Sequence, residues 1–319
     1  MKLGAPEPIA ALNRVRIVES GEPLVDVRDF CPEVEVAERA CPYLRSTVAE
    51  MLNRAQSSLP RGLRLRASTC LRTLSMQRAG WDGYFARMKA EHPEWPLSAL
   101  RRATNRYFAP YDQPAPPGHC TGGAVDVAIL GPDGEALDVT SPTQGWEAAY
   151  TWSDRISPEA KANRMLLVNA MLGAGFSNCR EEYWHYSYGD SAWAVRVGER
   201  ECPYGLVEPP HAVEARFAGG AAEIHRAGER AWVLRPAEDA GGAARLLAGV
   251  FWAEGMEVAL RIEWAGHPPP GFWTSPDREN WSPVAVVEAG SAFLLTLTPE
   301  TPRVYLSSTP PPEPPAQAG

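Results

Sequence analysis

Two short stretches hold the residues whose types and spacing could do chemistry. In Pro116 to Leu130 (PPGHCTGGAVDVAIL), His119 stands seven residues before Asp126, with Gly122 and Gly123 between them. In Glu182 to Tyr186 (EYWHY), a glutamate stands three residues before His185. Two imidazoles and a carboxylate are a donor set that a catalytic zinc takes, its fourth position being kept for water. Such a metal lowers the pKa of the bound water and polarises the carbonyl under attack. A second carboxylate must then take the water proton and pass it to the leaving amine. Glu182 is the candidate, held near the metal by its closeness to His185. On a plain strand, residues three apart point to opposite faces, so this arrangement requires a turn, twist or bulge between Glu182 and His185.

The surrounding elements must bring these residues together. Ala124 to Leu130 reads as a buried strand, and an aspartate within it is costly to bury without a partner. A metal removes that cost, and an ion pair with an arginine such as Arg72 is the structural alternative. Gly122 and Gly123 let the backbone turn sharply between His119 and the strand. Pro42 to Ser58 has apolar residues at helical spacing, with Pro42 suited to the first turn. Leu63 to Ala67 alternates as a half-buried strand. Ser75 to Lys89 and Leu97 to Tyr107 read as helices, and the four prolines in 108–118 make an extended approach to His119. After the turn Gly131-Pro132-Asp133-Gly134, Ala136 to Val139 is expected to return as a hairpin partner. Ser157-Pro158-Glu159 is a helix start, and Gly173 and Gly175 mark that helix's end.

The chain has 319 residues, of which 45% are hydrophobic, enough for one large domain or two ordinary ones. A change of character near residue 205 separates a domain over 1–205 from an all-β, sandwich-like one over 206–308, with a Pro-rich tail over 309–319 expected to be disordered. In the second region, Val258, Leu260, Ile262 and Trp264 alternate with polar residues, and Val284–Val287, Phe293–Leu297 and Val304–Leu306 read as further strands. Its tryptophans at 232, 252, 264, 273 and 281 fit a sandwich core better than a sugar-stacking surface. The net charge is −8 and there is no basic cluster, which argues against a nucleic-acid partner and an anionic membrane surface. No secretion signal or spanning segment is read, so the expected compartment is cytoplasmic, with the periplasm as the alternative. Six cysteines, at 31, 41, 70, 120, 179 and 202, form no C-x-x-C pair and are expected to be reduced. Cys120, beside His119, is read as a small apolar neighbour rather than a ligand.

The stretch His119-Cys120-Thr121-Gly122-Gly123-Ala124-Val125-Asp126 resembles the His-x-x-Gly-x-Ala-x-Asp signature of the zinc D,D-peptidases. Within that group it is most similar to the vancomycin-resistance-type D-alanyl-D-alanine dipeptidases. Glu182-Tyr183-Trp184-His185-Tyr186 resembles their Glu-Trp-Trp-His-aromatic motif. Asn163 to Leu167, Gly175-Phe176, Gly189-Asp190 and Trp193 fit the same pattern, and Leu71-Arg72-Thr73 falls where the family has Tyr-Arg-Pro. The likeness covers roughly residues 15–205. It implies an α+β fold in which a small antiparallel sheet carries packed helices, of the D,D-peptidase and hedgehog-like kind. It implies one Zn2+ per chain on His119, Asp126 and His185, with Glu182 as general base and acid. Arg72 would face the oxyanion of the tetrahedral intermediate. Tyr183, Trp184 and Glu147 would contact substrate, Glu147 standing nearest to where the family places the acid that binds the dipeptide's free amine. Pro117 replaces the family's serine two residues before the first histidine. The implied reaction is hydrolysis of D-Ala-D-Ala. The alternatives are a D,D- or L,D-carboxypeptidase acting on peptidoglycan peptides, and a non-catalytic cell-wall or glycan-binding protein.

Overall fold

The structure is a computed structural model that describes residues 6–37 and 40–209, together with 212–217, 220–228, 231–236, 246–251, 258–263, 271–275, 280–289, 292–297 and 303–308. The chain divides into two compact units, Met1–Glu208 and Pro209–Gly319.

The first unit is α+β. Its main sheet has five strands: β1 (Glu35–Val36), β2 (Arg64–Thr69), β3 (Ala124–Leu130), β4 (Ser177–Asn178) and β5 (His185–Ser187), ordered β1-β2-β3-β5-β4. All neighbours are antiparallel except β1 with β2. The two-residue period of β3 decides what each face does. Val125, Val127 and Ile129 are buried in the core, and Asp126 and Ala128 point to the other side, half-buried. Helices α1 (Ser46–Ser58) and α4 (Pro158–Gly173) cover the core face. On α1, Val48, Ala49, Met51, Leu52 and Ala55 make the apolar stripe; Leu167 and Met171 of α4 join the same core. The remaining helices of more than one turn are α2 (Leu74–Glu91), capped by Thr73 Oγ1 accepting from Met76 N at 3.2 Å, α3 (Leu97–Asn105) and α5 (Ser191–Val197). Ser157 caps α4 as the sequence indicates, accepting from Ala160 N at 3.0 Å.

Two local expectations differ from the structure. Pro42 does not open a helix: Tyr43–Arg45 is a strand paired antiparallel with Leu24–Asp26, and α1 begins at Ser46. Cross-strand pairing and the burial of Tyr43, Leu44 and Arg45 outweigh the helical spacing there. Ala136–Val139 does not return as a strand; only Ala136 bridges to Leu130. The chain is drawn away instead by Arg164 on α4, a side chain 1% exposed. Its Nε donates to Val139 O at 3.0 Å, its Nη1 to Tyr150 O at 2.7 Å and its Nη2 to Ala148 O at 2.7 Å. Its guanidinium also stacks over the Tyr183 ring, 4.3 Å from the centroid. One buried cation thus fixes the 139–150 segment and the approach to Glu182. Arg164→Met leaves the Val139 and Ala148 carbonyls without their donor, Tyr150 O keeping a bond from Ser153 N at 3.0 Å, and at ~1–3 kcal/mol for each buried orphan we expect a loss of about 2 kcal/mol or more. The urea midpoint of unfolding measures it, and a shift worth under ~1 kcal/mol contradicts the clamp.

Among the described residues of the second unit, every element is a strand. Their order is Ser282–Pro283, Trp273–Ser275, Arg303–Ser307, Leu246–Phe251, Ala212–Phe217, Gly220–Gly228, Ala231–Pro236, Val258–Glu263, Ala292–Leu297 and Val286–Ala289. Leu260 and Ile262 are buried while Ala259 and Arg261 are exposed, as the alternation predicts. The strand expected over Val284–Val287 lies at Val286–Ala289. Trp273 and Trp281 are half-buried. The side chains of Trp232, Trp252 and Trp264, and the tail expected to be disordered over 309–319, lie outside the described residues. No described helix is long and apolar enough to cross a membrane.

Candidate metal centre and peptidase site

Strand register builds the centre of the site. Asp126 on β3 and His185 on β5 are direct cross-strand partners, so their side chains rise side by side from the face turned away from the core. His119 reaches them from the 3-10 turn Gly118–Thr121, immediately before β3. Gly122 ends that turn with φ +70, a conformation that L side chains rarely adopt, and a Cβ there would come within 2.8 Å of Leu24. Gly123 is required for a different reason: the Tyr188 carbonyl approaches to 2.7 Å of where its Cβ would be. Buried Arg45 holds the turn from behind, its Nε donating to Thr121 O at 2.9 Å.

His119 Nε2, His185 Nδ1 and Asp126 Oδ1 converge, at 3.1 Å between the nitrogens, 3.2 Å from His119 to Asp126 and 2.9 Å from His185 to Asp126. Tetrahedral zinc with bonds of ~2.0–2.1 Å has ligand–ligand edges of roughly 3.3 Å, so these three atoms already stand close to the spacing such an ion takes. The tautomer fits as well. His119 Nδ1 lies 2.9 Å from Cys70 O, an acceptor only, so Nδ1 carries the hydrogen and Nε2 presents its lone pair to the site. The donor set therefore suits a metal ion. Burial lowers the His119 pKa, with Asp126 offsetting part of the effect. For His185 burial acts downward too, but hydrogen bonding and charge from Asp126 outweigh it and the net shift is upward. Burial alone would raise Asp126, yet the two imidazoles hold it well below the usual carboxylate range. Asp126 pairs with these histidines and not with Arg72, whose Nη1 donates to Gln77 Oε1 at 2.8 Å.

Glu182 lies in a turn, as the spacing requires: His185 N donates to Glu182 O at 3.1 Å, closing residues 182–185 just before β5. Asn178 on β4 clamps the same turn, its Nδ2 donating to Glu182 O at 3.2 Å and His185 O at 3.0 Å. Burial raises the Glu182 pKa; His185 draws it down and Asp126 adds to the rise. Arg72 sits between β2 and α2, its backbone N donating to His119 O at 3.1 Å. Its charge is felt by both His119 and Glu182.

One cleft is lined by Arg72, His119, Asp126, Glu182 and His185. Tyr183 and Trp184 line it too, their rings edge to face at 4.9 Å. Glu147 does not. The single helical turn Trp146–Ala149 buries Ala148 and Ala149 and turns Glu147 outward, into a separate hollow with Trp152 and Arg155. Cys120 is buried, its thiol pushed up to about 12 by desolvation, and it offers nothing to the metal cluster. All six cysteines are free. Sequence spacing did not point to Asn178, Arg45 or the Cys70 carbonyl. Arg45 could have been suspected as a charged residue inside an apolar run; a backbone carbonyl leaves no sequence signal at all.

Two imidazoles and a carboxylate around one point, with a half-buried glutamate and an arginine lining the same cleft, are an arrangement suited to a metal-dependent hydrolase. Residues 86–202 match the family described as D-ala-D-ala dipeptidase (Peptidase_M15). The resemblance read from the two motifs therefore holds, and the chain is an enzyme, a metallopeptidase similar to the D-alanyl-D-alanine dipeptidases. It is 27% identical over 198 residues to the D-alanyl-D-alanine dipeptidase of Synechocystis sp., spanning 52% of this chain and 80% of that one. It is 29% identical over 75 residues to the D-alanyl-D-alanine dipeptidase of Escherichia coli K12, spanning 23% of this chain and 39% of that one. Among solved structures, the vancomycin-resistance D,D-pentapeptidase VanY of the VanB-type cassette, in complex with Zn(II), is 16% identical with a TM-score of 0.33, covering 60% of this chain and 96% of that one.

Proposed function

We propose that this chain hydrolyses D-Ala-D-Ala, with one zinc ion on His119 Nε2, Asp126 Oδ1 and His185 Nδ1. The convergence of those three atoms within about one ion's reach, beside Glu182, carries the reading. When bound, the ion supplies an acidified water and a Lewis acid for the scissile carbonyl. Glu182 takes a proton from the water and delivers it to the leaving amine, a task for which a carboxylate with a raised pKa is suited. Arg72, pinned through its backbone to His119 and through its guanidinium to Gln77, faces the oxyanion that develops during attack. Tyr183 and Trp184 wall the peptide. The catalytic domain is 1–205, followed by the sandwich-like domain of 206–308.

A second reading, a D,D-carboxypeptidase on peptidoglycan peptides, is favoured by one observation: Glu147 lies outside the cleft, so the acid expected to take a free amine is not there. Turnover of D-Ala-D-Ala and of its N-acetylated form by the zinc-loaded protein separates the two. The dipeptidase reading expects the free dipeptide to be preferred, and preference for the blocked form contradicts it. In either case Arg72→Ala lowers kcat by about 10²–10³, the usual cost of removing an oxyanion donor. A variant within a factor of about three of the parent contradicts the role given to Arg72.

A further inference from the structure

The N-terminal segment before the first sheet strand has no part in the chemistry above, yet Glu7 and Ile9 line the same cleft as Glu182 and His185. None of the residues of its one helical turn, Ile9–Leu12, is buried, so packing into the core does not hold it. Two polar ties do. Glu7 accepts from Arg196 Nε at 2.6 Å and from Arg196 Nη2 at 2.9 Å. That arginine is 3% exposed, and its Nη1 also donates to Ser177 Oγ on β4 and Ser187 Oγ on β5, at 3.0 and 2.9 Å. Six residues further on, Asn13 Oδ1 accepts from Ala115 N at 3.0 Å, in the proline-rich approach to His119. The segment is thus fastened on one side to the strand that begins with His185 and on the other to the loop that delivers His119.

We propose that residues 6–13 are a strap across the substrate cleft that sets the length of peptide admitted, by standing where an N-terminal extension of the dipeptide would run. The inference rests on the peptidase reading given above. Position indicates the direction. The Glu7 carboxylate lies with Glu181 and the Cys179 thiol in a cluster whose ligand atoms are within 4.8 Å of one another, and the Glu7 charge is felt at Glu182. Both carboxylates are paired, Glu7 with Arg196 and Glu181 with Arg180, so the strap acts as a fixed wall of the cleft and not as a free charge. A free amine then ends at the strap, and an acyl extension meets it. The strap therefore chooses between the free dipeptide and a longer peptide while leaving the reacting groups alone.

Two full-length, zinc-loaded variants test this: Glu7→Gln, which weakens the tie to Arg196, and Asn13→Ala, which removes the half-buried hydrogen bond from Ala115 N and leaves the buried arginine paired. Both are expected to shift the kcat/KM ratio toward N-acetyl-D-Ala-D-Ala over D-Ala-D-Ala by about tenfold. Cys179 supplies a readout independent of turnover, being the one half-buried thiol among six. The rate of its modification by a polyethylene-glycol maleimide, divided by its rate with N-ethylmaleimide, cancels any change in thiolate fraction and reports access alone. That quotient is expected to rise in both variants. An unchanged quotient in both overturns the strap, whether or not the parent turns over either peptide. A raised quotient with an unmoved peptide preference overturns its role in length selection. Failure of the parent to hydrolyse either peptide overturns the underlying peptidase reading, and the Cys179 quotient still decides the strap.

Discussion

Glu182→Gln is expected to abolish measurable hydrolysis while keeping the metal, lowering kcat by about 10²–10⁴, the usual worth of a positioned general acid–base. The substitution is nearly isosteric, and the turn that places residue 182 is held by backbone groups: His185 N and Asn178 Nδ2 both donate to the Glu182 carbonyl. The site geometry therefore survives the loss of the carboxylate. The pH profile carries a second signature. Burial raises the Glu182 pKa, and the base works only when ionised, so activity is present above that pKa and lost as pH falls through it. In the parent, the acid limb of kcat/KM is expected above the ordinary glutamate value of 4.5, less whatever a bound dication takes back. If Glu182→Gln retained parental turnover of D-Ala-D-Ala, the base would have to be another group, and loss of zinc along with activity would make Glu182 a support of the metal instead.

Asp126→Ala is expected to remove the metal. The carboxylate is the only anion in the donor set, and it lies 3.2 Å from His119 Nε2 and 2.9 Å from His185 Nδ1. Loss of an outer-shell partner already costs a metal site about 10- to 100-fold in affinity, and loss of a direct ligand costs more. Equilibrium dialysis against a zinc buffer measures it, with hydrolysis lost in parallel. The variant is expected to fold, because Asp126 faces the cleft while its strand neighbours Val125 and Val127 hold the core. Zinc affinity within a factor of about three of the parent would remove Asp126 from the ligand set.

The two motifs were legible because each chemical role needs a particular residue type, and because turn and strand spacing restricts where those residues can stand. His119, Gly122 and Asp126 fit one turn and one strand, and the requirement for a turn between Glu182 and His185 is met by a hydrogen bond from His185 N to Glu182 O. The apolar period of α1 and the Ser157 cap of α4 were legible for similar local reasons. What could not be read depends on partners distant in sequence. Tyr43–Arg45 is a strand because Leu24–Asp26 lies beside it, and 136–139 leaves the sheet because Arg164 claims the Val139 carbonyl. The type and neighbourhood of Glu147 suggest a substrate contact, but the one-turn helix that carries it buries the two alanines after it and turns the acid away. The Glu7 tie to Arg196 joins residues 189 apart, a separation no periodicity reveals.

Zinc titration of the metal-stripped, full-length protein, followed by D-Ala-D-Ala hydrolysis, tests the central claim most directly. Activity is expected to be absent after chelation and to rise linearly with added zinc to a plateau at one ion per chain. The Asp126→Ala and Glu182→Gln variants should fail in different ways, the first by not binding and the second by binding without turnover. Full hydrolysis by the stripped protein, or a plateau reached without any bound zinc, would contradict the account.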